Sequence, residues 1–268
     1  MRIFQLKIEI VTITDNKLIA KNIWEMKIEA PLIVEDYKGA GQFIQILVES
    51  SWSSPLRRPM SIASVNNNEI SIIYKIFGEM TRILSEKVPG DKLDILGPLG
   101  NTFVSDKKNA IPVMVGGGVG LAPILNMHNE YLSQNNNAIL ILGARSADEH
   151  FLQHDPDNGI YLSTDDGSAG VKGTVINAMD KYLDNFENIE IFSCGPEPML
   201  KAVQQYAINK KIPAKISVES YMGCGIGICQ GCVVERPNNN QSQNSYHEKY
   251  SLVCIDGPVY RSEEVIFG

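Results

Sequence analysis

The chain has 268 residues, enough for one large or two ordinary domains, and its 44% hydrophobic and 21% charged residues exclude disorder as the default. A net charge of −7 argues against a nucleic-acid surface, which relies on clustered Lys and Arg. No apolar run approaches the roughly 18–20 residues that cross a bilayer. The first residues alternate Ile3, Leu6, Ile8 and Ile10 with polar side chains and lack the continuous apolar stretch of a secretory signal. The expected setting is therefore the cytoplasm, where paired disulfides are a poor account of five cysteines.

Short strands are predicted at Gln5–Thr14, Lys21–Ala30, Gln42–Val48, Ile70–Ile76 and Lys92–Leu96, separated by Gly, Pro, Asn and Asp. That spacing predicts a closed or nearly closed antiparallel β-barrel. Between two of these strands lies Leu56-Arg57-Arg58-Pro59-Met60-Ser61-Ile62. Arg can hold a pyrophosphate in a bidentate fork and Ser can bond a flavin edge, but a surface Arg pair beside a Pro turn reads equally well. Ile73-Tyr74-Lys75 is followed by Gly78-Glu79-Met80-Thr81 and a predicted helix at Thr81–Lys87, capped by Thr81. Such a helix start can seat a phosphate, or be only a capped helix after a turn. Gly97-Pro98-Leu99-Gly100 is by itself a turn signal.

From Ala110 the rhythm changes. Apolar runs at Ile111–Val115, Ala138–Leu142, Ile160–Ser163 and Ile189–Ser193 alternate with helical segments, the pattern of βαβ units and a parallel sheet. The first run ends in Gly116-Gly117-Gly118-Val119-Gly120, and Pro123 suits the first turn of a helix reaching Ser133. A glycine-rich turn at this point lets a diphosphate approach the backbone, although tight turns use glycine anyway, and the run departs from G-x-G-x-x-G. Cys194-Gly195-Pro196 follows the fourth run, where it could meet a nicotinamide or simply bury a cysteine before a helix starting at Pro196 or Pro198. His128, His150, His154 and His247 show no ligand spacing and are read as solvated, as is the carboxylate of Glu219.

Four of the five cysteines fall in the last 45 residues. Cys224, Cys229 and Cys232 are spaced C-x4-C-x2-C, and Cys254 follows after 21 residues, the spacing of plant-type [2Fe-2S] ligation. Gly223, Gly225, Gly227 and Gly231 let the backbone close in on such a cluster. A four-cysteine zinc site is the alternative, although zinc ligands usually come as two short hooks. Within this section the Asn/Gln-rich stretch Pro237–Ser245 reads as an exposed loop.

Taken in order, R-P-x-S, G-P-L-G, G-G-G-V-G-x-A-P, C-G-P and the cysteine pattern resemble the ferredoxin–NADP reductase superfamily. More narrowly, Arg57–Ile62, Thr164-Asp165-Asp166-Gly167-Ser168 with Gly173, Glu219 with Met222–Cys229, and Val253-Cys254-x-Asp256-Gly257-Pro258 resemble the electron-transfer subunits of class 1B dihydroorotate dehydrogenase. The resemblance runs from the first strand to Pro258. It implies an FAD-binding β-barrel over 1–101, a parallel-sheet NAD-binding α/β domain over 102–214 and a small [2Fe-2S] module over 215–268. FAD would be contacted by Arg58, Pro59, Met60, Ser61, Ile73, Tyr74, Lys75, Met80 and Thr81. The nicotinamide nucleotide would be framed by Gly116, Gly117, Gly118, Gly120, Cys194, Gly195 and Pro196, and the cluster held by Cys224, Cys229, Cys232 and Cys254.

Two departures stand out. Met80 replaces the second glycine of the family's G-x-G-T, so FAD contact there requires φ below zero. Pro237–Ser245 looks like an insertion. The resemblance further implies an oxidoreductase subunit that works with an FMN-containing catalytic subunit, as a heterotetramer of two pairs, without a general acid or base of its own. Arg145 leaves NADP open, because Arg can bind a 2′-phosphate. The competing readings are a reductase for a hydrogenase- or oxygenase-type system and a zinc-stabilised subunit without redox activity.

Overall fold

A computed structural model describes residues 6–49, 55–134, 136–184, 186–237 and 249–267. Six antiparallel strands form a closed barrel in the order β1-β2-β5-β4-β3-β6. They are β1 Lys7–Ala20, β2 Ile23–Glu29, β3 Phe43–Leu47, β4 Arg58–Asn66, β5 Glu69–Lys75 and β6 Lys92–Leu99. Alternation aims Ile13, Met26, Ile28, Ile44, Ile46, Ile70 and Ile72 into one core. Helix α1 (Pro31–Asp36) adds Ile33 and α2 (Glu79–Glu86) adds Leu84.

Two strands differ from the sequence reading. β1 runs on to Ala20 because its polar stretch bends at register shifts, and Asn16 donates to the carbonyls of Leu84 and Lys87, which ties β1 to the end of α2. The Arg58–Ile62 segment is itself strand, although Pro59 cannot donate to a ladder. Pro59 is tolerated because β4 pairs with β5 only from Ile62 onward, leaving its missing N–H on the unpaired side.

The second sheet has the order β10-β9-β8-β7-β11-β12-β15. Its strands are β7 Ile111–Gly117, β8 Ile139–Ala144, β9 Ile160–Thr164, β10 Val171–Lys172, β11 Ile189–Cys194, β12 Ala214–Ser217 and β15 Val259–Arg261. All neighbours are parallel except the pair β12 and β15. Along β7, Met114 faces α3 (Leu121–Ser133), while Val113 and Val115 face α4 (Val175–Leu183) and α5 (Glu197–Lys210). The sheet thus continues past 214: β12 straddles that point and β15 returns from beyond the cysteines to close the edge. Between them, β13 (Val233–Glu235) and β14 (Tyr250–Leu252) pair as a hairpin. Apart from Pro237, the stretch Pro237–Ser245 lies outside the described residues, as does His247.

Helix α3 joins the barrel to the sheet. Leu121, Ile124 and Leu125 share a core with Ile23, Ala63 and Ile73 of the barrel. Buried Asn126 donates to Tyr37 Oη at 2.7 Å and to the carbonyl of Ile62 at 3.0 Å, and Tyr37 Oη donates to Glu130. Among the described residues no helix is long and apolar enough to cross a membrane.

Candidate functional site

A cleft of about 980 Å³ opens between the barrel and the carboxyl ends of β7, β8, β9 and β11, where open α/β sheets bind ligands. The barrel wall is made by Pro59, Met60 and Ser61 of β4, Ile73, Tyr74 and Lys75 of β5, and Phe77 and Thr81 at the start of α2. Tyr74 turns its ring into the barrel core and gives its hydroxyl to Asn16 at 2.9 Å, so it meets the cleft with its backbone edge; burial pushes its hydroxyl well up. Lys75 reaches across to Glu149 at 2.8 Å. Burial pushes the Glu149 carboxyl up, but the Lys75 hydrogen bond and charge bring it net below its ordinary value.

Thr81 is not the helix cap. Gly78 occupies that position, and Thr81, in the first turn, accepts from the N–H of Phe77 and Gly78 and donates back to the Gly78 carbonyl. Met80 has helical backbone and packs on the barrel core, so the φ condition is met. Neither Met80 nor Arg58 lines the cleft; Arg58 donates to the Leu56 carbonyl, while Arg57 is committed to Asp94 at 2.9 Å.

On the opposite wall stand Gly117 and Gly118, Gly143 to Arg145, Asp165, the α4 start at Gly173 to Ile176, Cys194, Pro196 and Met199. Gly116, Gly120 and Gly195 lie behind this surface and serve packing. A Cβ on Gly120 would fall 2.3 Å from the Cys194 backbone, and one on Gly195 would meet Met199 at 2.5 Å. The glycine turn and the C-G-P segment therefore interlock. Cys194 is buried, and desolvation first, then Glu219, hold its thiol neutral by pushing its pKa far up. Glu219 is open to the cleft, as a solvated carboxylate would be, yet the surrounding walls raise its pKa.

The histidines depart from the solvated reading. His128 is buried in α3 and burial lowers its pKa. His150 Nε2 sits 3.1 Å from the Ser163 carbonyl, and His154 Nδ1 accepts from the N–H of Leu162.

All four tail cysteines are free thiols; Cys232 and Cys254 pack with Phe43, Leu96 and Leu99 on the outside of the barrel, and Cys224 lies near both Cys229 and Cys254. The β13–β14 hairpin explains how the remote one arrives. Cys232 precedes β13, Cys254 follows β14, and the N–H of Val253 donates to the Cys232 carbonyl at 3.0 Å. Cys254 N–H points at Cys232 Sγ, while the N–H groups of Ile226 and Cys229 point at Cys224 Sγ, each at 3.4 Å. Burial pushes Cys224 up, but these amide donors bring it net down to about 7. Burial first, then the neighbouring Cys232 thiol, push Cys254 up to about 12.

The return segment is pinned to the barrel. Asp256 accepts from Ser251 and from the Leu252 N–H, and Asn101 bonds Asp256, Gly257 and Val259. Gly100 lies against Pro258, where a Cβ would come within 2.6 Å, so the G-P-L-G turn docks the D-G-P turn.

Four thiols in two pairs, Cys224 with Cys229 and Cys232 with Cys254, and sulfurs already facing amide donors, suit two bridged irons with two ligands each.

Two family models match segments of the chain. The iron–sulfur cluster binding domain of dihydroorotate dehydrogenase B matches residues 219–266, and the oxidoreductase NAD-binding domain matches residues 114–205. The chain is 36% identical over 267 residues to the dihydroorotate dehydrogenase B (NAD(+)) electron transfer subunit of Geobacillus sp. (strain WCH70), covering 97% of this chain and 99% of that one. It is 37% identical over 262 residues to the subunit of that name from Bacillus pumilus (strain SAFR-032), covering 95% and 96%. Among solved structures, one described as the NADH-dependent reduced ferredoxin–NADP oxidoreductase of flavin-based electron bifurcation superposes with a TM-score of 0.82 at 28% identity, covering 96% of this chain and 90% of that one.

Proposed function

We propose, for a chain that belongs to the family of dihydroorotate dehydrogenase B electron transfer subunits, that it relays electrons from a catalytic subunit to NAD⁺ through a [2Fe-2S] cluster and FAD. The observation that carries this reading is the placement of the paired cysteines beside a cleft shared by a barrel and a nucleotide-type sheet. When bound, the cluster passes single electrons and FAD converts them into a hydride for NAD⁺.

The chain's own residues hold and orient these groups. Cys224, Cys229, Cys232 and Cys254 hold the cluster. Pro59, Met60, Ser61, Ile73, Tyr74, Lys75 and Thr81 contact FAD on the barrel wall, with Arg58 and Met80 at its margin. Gly116 to Gly118, Gly120 and Cys194 to Pro196 frame the nicotinamide nucleotide. Neutral, buried Cys194 presents an uncharged surface to the reacting rings. The three proposed units are residues 1–101, 102–214 and 215–268, the last sharing its outer strands with the second sheet.

The partner is an FMN-containing catalytic subunit, in a heterotetramer of two pairs. Exposed Tyr221, Ile228 and Ile255 around the cysteine loop supply the apolar surface such a partner would cover. Co-expression with a type 1 catalytic subunit tests the reading. Dihydroorotate-driven NAD⁺ reduction should appear only when both chains are present. A stable complex that reduces no NAD⁺ would move this chain to the reductase of another oxidoreductase.

A further inference from the structure

Gln45 is fully buried, and neither its Nε2 nor its Oε1 has a hydrogen-bond partner among the described residues. Burying a carboxamide without a partner costs stability, because the desolvation of its polar atoms is not repaid. An apolar side chain at 45 would remove that cost, so the position calls for a partner supplied from elsewhere.

Its surroundings say which. Along β3, Ile44 and Ile46 enter the barrel core, whereas Phe43, two residues before Gln45, faces the cysteine module and packs in one cluster with Cys232, Cys254 and Ile226. Gln45 lies on that outer face. Its carboxamide meets the cysteine loop at Gly225, the residue after Cys224. A Cβ there would lie 2.8 Å from Gln45 Nε2, and Gly225 has φ +72°. Across the sheet Gln45 is paired with Pro59 of β4, in the cleft wall. Gln45 thus stands between the proposed flavin wall and the proposed cluster.

We propose that Gln45 is a positioning residue of the cluster, its side-chain N–H donating into the sulfur shell at the Cys224–Gly225 corner and thereby raising the cluster's reduction potential. This rests on the cluster reading above. Reduction adds one electron and its negative charge spreads onto the sulfurs; no bond or proton is exchanged. A donor aimed at those sulfurs favours the reduced form, one of the ways proteins set iron–sulfur potentials. The backbone donors to Cys224 come from its own loop; Gln45 adds one from the barrel, so the potential depends on how the module seats on β3.

Gln45→Met keeps length and removes the donor. In an EPR-monitored redox titration of the loaded chain, the variant cluster should be harder to reduce by about tenfold in the one-electron equilibrium, which reads as about 59 mV. A second measurement does not depend on that variant. With side-chain ¹⁵N-glutamine in a Gln230→Asn background, where Asn tolerates the φ of +56° at that position, pulsed EPR of the reduced cluster should show a nitrogen coupling. An unshifted potential in fully loaded Gln45→Met, or no coupling in the labelled protein, overturns the proposal and leaves the cluster reading intact. A wild-type chain that takes up no cluster overturns both, and iron and sulfide analysis separates the two failures.

Discussion

Each main wall of the cleft is carried by a strand or helix with a hydrophobic core behind it, whereas the loop from Val218 to Cys232 contains neither helix nor strand. The cleft is framed by two sheets and locked by α3, and its glycines are fixed by packing against the Cys194 segment. The loop is shaped by left-handed turns at Gly225, Gly227 and Gln230 and by N–H groups aimed at sulfur. The cleft rests on regular elements with cores of their own, whereas the cysteine loop would be completed by a cluster held on its thiols. Metal binding of that second kind is coupled to local folding, so the two regions should respond differently to the same perturbation.

The largest contrast is expected from Cys232→Ser. Even outer-shell changes at metal sites cost about 10–100-fold, so loss of this buried, proposed ligand should reduce dihydroorotate-driven NAD⁺ reduction at least ~100-fold. Iron and sulfide should fall together, while NADH oxidation with an artificial flavin acceptor stays within a few-fold of wild type. Equal loss of both activities would erase the distinction between the sites.

Chelating the iron should then raise amide exchange across 218–232 by roughly tenfold or more, while β4, β5 and β7 keep their protection, because local opening follows local stability. Uniform loss of protection would mean that the cleft, too, depends on the cluster.

Gly120→Ala attacks the other region. Its Cβ would sit 2.3 Å from the Cys194 backbone, and overpacking of this kind costs about 1–3 kcal/mol. Urea unfolding should show that loss, and NADH titration should show weaker binding with iron content unchanged.

The smallest effect is acid sensitivity of the frame. Burial lowers the pKa of His128 from 6.5, so below that value the unfolded chain binds a proton that the fold withholds. Stability is complete above pH 6.5 and declines as pH falls toward the lowered folded value. Scanning Tm from pH 7.5 to 5 should show a decline of roughly a few degrees that His128→Leu flattens, although His150, also lowered by burial, contributes in the same direction.

What was legible in the sequence was local. The apolar runs became β7, β8, β9 and β11 within a residue or two, and the cysteine spacing placed all four thiols in one region because three share a loop. What escaped depended on pairing across the chain. Pro59 hid β4, since its tolerance arises from where β5 begins to pair. β12 and β15 are too short to show a period, and they join the second sheet only because the cysteine module folds back over its edge. G-P-L-G reads as a turn, and its docking on Pro258 appears only in three dimensions. His128 reads as polar, yet α3 is sandwiched between barrel and sheet and buries it. Gln45 gave no signal at all in a strand of isoleucines.

The most direct test of the relay is an anaerobic visible spectrum of the purified chain, with iron, sulfide and flavin quantified alongside. Flavin bands over a broad iron–sulfur absorption, both bleaching on addition of NADH, are the predicted result. A colourless protein that stays so after reconstitution with FAD, iron and sulfide would contradict the account.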